Sequence, residues 1–268
     1  MTTGRWRSTP TAFSLLVAEL RRLLVEPERL DRLGEGEGAR LLPLLPEERH
    51  YLRRVLRLRP GDAVAVVDGA GGVWTASLLG SDQLELSAEQ NLSQREPAPQ
   101  PPLGVAAVLM RRGMEDWLRM GCELGLDRFQ PLTSDRRVAQ ADHRPQRWRV
   151  ILREAVEQCE RLWSPHLADL HALDAWCPEE GARVGFAVTR EATVPLADDW
   201  LIGCSDEAGP IWIVIGPEGG WSDRERQLAD QRGWQPVSLG DSILRSSTAA
   251  VRAAVTLVSW RSRRSLSS

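Results

Sequence analysis

The feature that most constrains the fold is a change in the spacing of apolar residues across one proline-rich stretch. Gln90 to Pro102 reads QNLSQREPAPQPP. It has no apolar period, and its prolines cannot extend a helix or a central strand, so it reads as an interdomain linker. Before it, short alternating runs at Ala63–Val67, Val73–Leu79 and Gln83–Leu86 are separated by turn residues that include Gly69, Gly71 and Gly72. Period-two runs joined by close turns predict hairpins, and therefore a small β-barrel or sandwich. Beyond it, strand-length apolar runs at Leu103–Met110, Val184–Val188, Ile211–Ile215 and Pro236–Leu239 alternate with helical stretches. The helices are expected at Met114–Glu123, stopped by Gly125, at Gln146–Trp163, and at Ser222–Gln231 and Thr248–Trp260. That alternation predicts a mainly parallel sheet covered on both faces. The expected division is an extension over 1–20, a β-rich domain over 21–90, a linker over 91–102 and an α/β domain over 103–268.

Composition excludes some classes. The chain is 42% hydrophobic and 26% charged, enough apolar material for a core. No run approaches the roughly 20 apolar residues that a membrane-spanning helix needs. Residues Met1–Leu20 carry Arg5, Arg7 and the short apolar stretch Phe13–Leu20, but that stretch includes Glu19 and offers no clear cleavage site, so it reads as an extension rather than a leader. Cys122, Cys159, Cys177 and Cys204 are far apart, and with His50, His143, His166 and His171 they give no ligand set at zinc spacing. No metal is expected, and the thiols read as reduced in a cytoplasmic protein.

The net charge of −3 does not announce a nucleic-acid partner, but its distribution says more. Every basic side chain is arginine, whose planar fork suits phosphate; a genome-wide preference for arginine would give the same bias. A helix is expected over Pro46–Leu58, with Tyr51, Leu52, Val55 and Leu56 on one stripe and Arg49, Arg53 and Arg57 on another face. The arginine face, with Arg54 beside it, is either a solvated surface or an RNA phosphate contact. Arg111 and Arg112, after the first strand beyond the linker, are weaker candidates for the same role.

The most informative segment is IWIVIGPEGGWSDRE, from Ile211 to Glu225. A buried-type strand runs into a loop with Gly216, Pro217, Glu218, Gly219 and Gly220, then into a helix opened by Ser222 with Glu225 three residues on, the pattern of a capping box. Glycines let a ligand approach the main chain, and ligands of open α/β sheets bind beyond the carboxyl ends of strands. No Gly-Lys-Ser/Thr or G-x-G-x-x-G pattern is present, which argues against a phosphate cradle. A second loop, Leu239-Gly-Asp-Ser-Ile-Leu-Arg-Ser-Ser-Thr248, precedes a helix of small residues suited to close packing.

Together the two loops resemble the ribosomal small-subunit methyltransferase E family, within the SPOUT class of knotted methyltransferases. His50–Asp62 (HYLRRVLRLRPGD), Cys122–Leu126 (CELGL) with Pro131, and Glu154–Arg161 (EAVEQCER) with Pro165 resemble the family's other ordered motifs. This chain has Met120 where the family has a lysine, and Ser246-Ser247-Thr248-Ala249 lacks the family's glutamate. The resemblance implies an α/β fold: a C-terminal SPOUT-type trefoil-knot domain with a smaller N-terminal PUA-like β-barrel that binds RNA. It implies a homodimer that uses S-adenosyl-L-methionine to methylate N3 of a uridine in 16S rRNA of the small ribosomal subunit. The implied cofactor contacts are Gly216, Pro217, Glu218, Gly219, Leu239, Gly240, Ile243, Leu244 and Thr248. Arg245 is the candidate for stabilising charge on the uracil, or else it binds phosphate or braces the fold. Glu218 is the candidate for orienting a substrate or taking a proton. A non-catalytic ribosome-assembly factor, or a methyltransferase acting on another RNA, are the competing readings.

Overall fold

The computed structural model describes residues 20–33, 40–87, 95–136, 143–191, 193–204 and 209–265. The expected extension, up to residue 19, and residues 91–94 of the expected linker lie outside them. The chain forms two compact units, Met1–Ala98 with Val156–Trp163, and Pro99–Ala155 with Ser164–Ser268.

The first unit contains β1 (Arg22–Leu24), α1 (Pro27–Asp31), β2 (Arg40–Pro43), α2 (Pro46–His50), β3 (Ala63–Val67), β4 (Val73–Leu79) and β5 (Gln83–Leu86). They make a five-stranded sheet in the order β1-β3-β4-β5-β2, antiparallel except for the parallel pair β1 and β3. Alternation places Trp74, Ala76 and Leu78 of β4 in the core, and the register sets Ala76 opposite Leu86 and Leu78 opposite Leu84, all buried. The hairpin turn before β4 is organised by the buried Asp68 carboxylate, which accepts from Ala70 N (2.7 Å) and Gly72 N (2.8 Å) and pairs with Arg95 (2.9 Å).

Two helices stop short of the sequence expectation, and the last one, expected over Thr248–Trp260, runs longer, from Ser246 to Ser265. The helix expected over Pro46–Leu58 is α-helical only to His50, and Tyr51–Val55 forms a π-helical turn with Leu56 N donating to Tyr51 O (2.9 Å). The wider turn keeps Leu52 fully buried, with Leu56 and Leu58 packed on the same core, and Arg57 in the left-handed region (φ 60°) ends it. The second case is the helix expected over Gln146–Trp163, which stops at Cys159 before left-handed Glu160 (φ 63°). Val156–Trp163, which the sequence reading assigns to the α/β domain, belongs to the first unit. There Glu157 Oε1 accepts from Leu24 N (3.0 Å), Arg22 pairs with Glu160 (3.5 Å), and Leu162 O accepts from Gly71 N (2.9 Å).

The second unit contains β6 (Leu103–Val108), α3 (Met114–Leu124), β7 (Arg128–Thr133), α4 (Pro145–Cys159, to Ala155), β8 (His166–Leu167), β9 (His171–Ala172), β10 (Arg183–Ala187), α5 (Ala197–Ile202), β11 (Ile211–Ile215), α6 (Asp223–Gln231), β12 (Gln235–Val237) and α7 (Ser246–Ser265). Its seven strands are all parallel, in the order β12-β10-β11-β6-β7-β8 with β9 also on β7. β6 and β11 are buried along their whole length, as both-face coverage requires. Gly104 faces Trp212 in register, and a Cβ there would lie 2.3 Å from the indole, so only glycine admits that ring.

The chain leaves β11 through α6, forms β12 on the far side of β10, then returns so that α7 packs on α3, α5, β6 and β11. Ala250, Ala253 and Ala254 are fully buried on α7; their small side chains allow the close approach. Near the helix end, Arg261 pairs with Asp127 and donates to Gly125 O (2.9 Å) and Pro101 O (3.1 Å). This return brings the loop after β12 over the end of β11.

Candidate active site

At the carboxyl ends of β10 and β11 the second unit holds a cavity of about 420 Å³, within the ~300–1,000 Å³ of small-molecule sites. Three loops wall it. The first follows β11. Gly216 leaves the strand, Pro217 is buried, and Gly220 N donates to Pro217 O (2.9 Å) to close the turn. The expected capping box is present: Ser222 Oγ accepts from Glu225 N (3.2 Å) and Glu225 Oε2 accepts from Ser222 N (2.8 Å). The second loop is Leu239–Ser246. It joins the first where Ser246 Oγ donates to Gly216 O (3.0 Å). The third, Ala187–Arg190 at the end of β10, carries no loop motif in the sequence. The signal for it existed, since neighbouring parallel strands share one crevice at their carboxyl ends, but the sequence did not say that β10 neighbours β11.

Gly216, Pro217, Glu218, Gly219, Leu239, Gly240, Ile243, Leu244 and Arg245 all line the cavity. Thr248 does not; it is exposed on the first turn of α7, and Ser246 and Ala249 take the wall in its place. Trp221 forms a fixed apolar side. Its indole Nε1 donates to Ala187 O (2.8 Å), its ring stacks on Phe186 at 4.4 Å, and a Cβ on Gly216 would sit 2.8 Å from it. Glu218 and Arg245 are exposed and make no ion pair among the described residues, while Arg226 pairs with Glu191. The cavity thus offers main-chain groups, apolar walls and a few charged side chains, which suits a ligand with a flat apolar part and polar ends.

A clasp fixes the first loop to the end of β7. Ser222 Oγ donates to Asp135 Oδ2 (2.6 Å), and Arg224 reaches both oxygens of Asp135 (2.6 and 3.1 Å) and Asp174 (3.0 Å). Glu225 Oε1 accepts from Asp135 N (3.0 Å), so the capping carboxylate serves both elements. The Arg224 guanidinium, then the Ser222 hydroxyl, hold the Asp135 carboxyl down at about 2, and the Arg224 pKa is pushed up in return.

None of the expected RNA-contacting arginines lines the cavity. Arg111 and Arg112 are exposed between β6 and α3, ahead of Gly113, whose Cβ would meet Ser247 at 2.8 Å. Gly113 is left-handed (φ 83°), so that turn admits only glycine against α7. Arg49, Arg54 and Arg57 are exposed on the first unit, and Arg53 is half-buried with a hydrogen bond to Gly80 O (3.3 Å).

Comparison with known proteins places these features in a family. A family of RNA methyltransferase domains matches residues 96–258, and a family of RNA methyltransferase PUA domains matches residues 44–89. The ribosomal RNA small subunit methyltransferase E of Synechocystis sp. is 35% identical over 253 residues, covering 90% of this chain and 80% of the relative. That of Rickettsia conorii is 26% identical over 208 residues, covering 76% and 83%. The crystal structure of a ribosomal RNA small subunit methyltransferase E from Neisseria gonorrhoeae, bound to S-adenosyl methionine, superposes with a TM-score of 0.70 at 25% identity, over 89% of this chain and 97% of that one.

Proposed function

This chain belongs to the ribosomal RNA small subunit methyltransferase E family, and from that premise we propose that it methylates N3 of a uridine in 16S rRNA of the small ribosomal subunit, with S-adenosyl-L-methionine as donor and as a homodimer. The observation that carries the reading is the single cavity made by the glycine loop after β11 and the loop before α7, tied by the Ser246–Gly216 hydrogen bond.

The residues present fit the donor. At Gly216 and Gly219 a Cβ would crowd Trp221 and Arg136; Trp221, Leu239, Ile243 and Leu244 give apolar surface, and Glu218, Arg190 and Arg245 bring charge to the same wall. Gly216, Pro217, Glu218, Gly219, Leu239, Gly240, Ile243 and Leu244 are the residues assigned to hold it. When bound, S-adenosyl-L-methionine supplies a methyl group already activated by its sulfonium.

The protein's own part is to orient uracil and to manage one proton. N3 of uracil must lose its imide proton, and the charge then spreads onto the two flanking carbonyl oxygens. Arg245, whose guanidinium has no described carboxylate to neutralise it, supplies a cation to stabilise that charge. Glu218 exposes a carboxylate on the same wall to orient the base or to accept the proton. Arg49, Arg53, Arg54, Arg57, Arg111 and Arg112 are assigned to RNA phosphates.

The test is transfer of labelled methyl to small ribosomal subunits that lack the modification, mapped by reverse transcription. Methylation of N3 blocks the pairing edge, so a new stop at one uridine is the expected result. Cofactor binding without a stop on subunits or on naked rRNA would overturn the substrate.

A further inference from the structure

We propose that Arg190 is a substrate-positioning residue, whose guanidinium takes a backbone phosphate of the RNA beside the nucleotide that enters the cavity. The inference rests on the methyltransferase reading and adds a residue that neither loop motif contains. Arg190 follows β10 at the carboxyl edge of the sheet and lines the cavity together with Thr189. Its backbone is left-handed, with φ 64°. That conformation is uncommon for a long side chain and costs energy, so an arginine held there at a ligand site invites a functional explanation.

The charge pattern supplies that explanation. Three arginines line the cavity, namely Arg190, Arg226 and Arg245. Arg226 is neutralised by Glu191, the residue next to Arg190, which removes the nearest acid in sequence from Arg190. Arg136, close by at the end of β7, donates to Gly219 O (3.4 Å). Arg190 and Arg245 remain without an ion pair among the described residues, and they sit on two separate loops. A uracil losing its N3 proton needs one cation close to the ring. The second, exposed at the end of β10, matches the anion that every neighbouring nucleotide carries, and the planar fork of arginine binds phosphate through two parallel hydrogen bonds. The carboxylate of the methyl donor is the competing anion.

The test compares R190Q, R190G and R190K with the unaltered protein on unmodified small subunits, alongside calorimetry with S-adenosylhomocysteine. R190G tolerates the left-handed backbone, so a fold defect does not mask the result. In R190Q and R190G the KM for subunits is expected to rise about tenfold, with a smaller change in kcat. The slope of log KM against log salt should fall by about 0.7, the signature of one lost phosphate contact on a single strand. R190K should recover part of the KM, and S-adenosylhomocysteine should bind all variants equally. An unchanged KM and salt slope would overturn the proposal. So would a parallel loss of S-adenosylhomocysteine affinity, which would give Arg190 to the donor's carboxylate. Failure of the unaltered protein to transfer methyl would instead overturn the function on which the inference rests.

Discussion

Adding one methyl group at Gly216 tests whether the cavity wall is rigid. The Cβ of G216A would lie 2.8, 3.1 and 3.2 Å from three atoms of the Trp221 indole, well inside van der Waals contact. Gly216 is not in the left-handed region, so alanine brings no backbone strain and the whole effect falls on the ring. The ring can yield only by weakening its hydrogen bond to Ala187 O (2.8 Å), worth ~0.5–1.5 kcal/mol. It also gives up its stacking on Phe186 at 4.4 Å, worth ~0.5–1.5 kcal/mol. The expected cost is therefore about 1–3 kcal/mol, the same range as overpacking elsewhere in cores. For a chain of this size that lowers Tm by roughly 2–12 °C. The decisive assay is a double-mutant cycle by thermal unfolding. W221L destabilises on its own but removes the atoms that the new methyl would meet, so G216A in that background should cost less than ~0.5 kcal/mol. An equal cost of G216A with and without Trp221 would refute the argument that the indole is the obstacle. S-adenosylhomocysteine affinity, read by calorimetry, should fall for G216A as the ring shifts into the cavity.

Other expectations follow from the same structure. Asp135 has its carboxyl depressed to about 2 from an unfolded value of ~3.9, so its clasp contributes stability that is full above pH ~4 and is lost as pH falls through 2. Tm measured from pH 5 to pH 2 should therefore fall less steeply in D135N than in the unaltered protein, and identical profiles would count against the clasp. R261M takes the guanidinium away from the Asp127 carboxylate where both side chains are largely buried (11% and 14% exposed), and should cost about 3–5 kcal/mol in chemical denaturation. A loss below ~1 kcal/mol would mean that the pair does not hold α7. L244A should weaken S-adenosylhomocysteine binding several-fold while T248A changes it less than about twofold, since Leu244 lines the cavity and Thr248 does not. R54E should raise the KM for small subunits and leave cofactor affinity intact; equal losses of both would remove Arg54 from the RNA-binding set.

The elements legible in the sequence are those made by local pattern. Ala63–Val67, Val73–Leu79 and Gln83–Leu86 are strands with the expected limits because alternation and turn glycines act over a few residues. The capping box at Ser222 is equally local. The strand at Arg128–Thr133 carries no clear strand signature, because Gln130 interrupts its apolar run and Pro131 argues against a central strand. In the structure Gln130 is buried and its amide donates to Asp169 O (2.7 Å), a partner far along the chain. The two-residue strands at His166 and His171 are too short to carry a period. The two helices that stop short of expectation do so near non-glycine left-handed residues, Arg57 and Glu160, where no residue type gives warning.

The two loops, and with them the family resemblance and most of the cavity wall, are legible in the order of residues alone. Main-chain contacts and glycine-dependent turns demand particular residues at particular spacings, and those can be read in one dimension. Which strands stand side by side is set by packing across the whole sheet. The order β12-β10-β11 brings Ala187–Arg190 to the cavity, and the return of α7 sets Ser246 against Gly216 and leaves Thr248 outside. The physical reason is that strand order and the path of a returning helix are fixed by burial and packing summed over the whole sheet, and no local window of residues contains that sum.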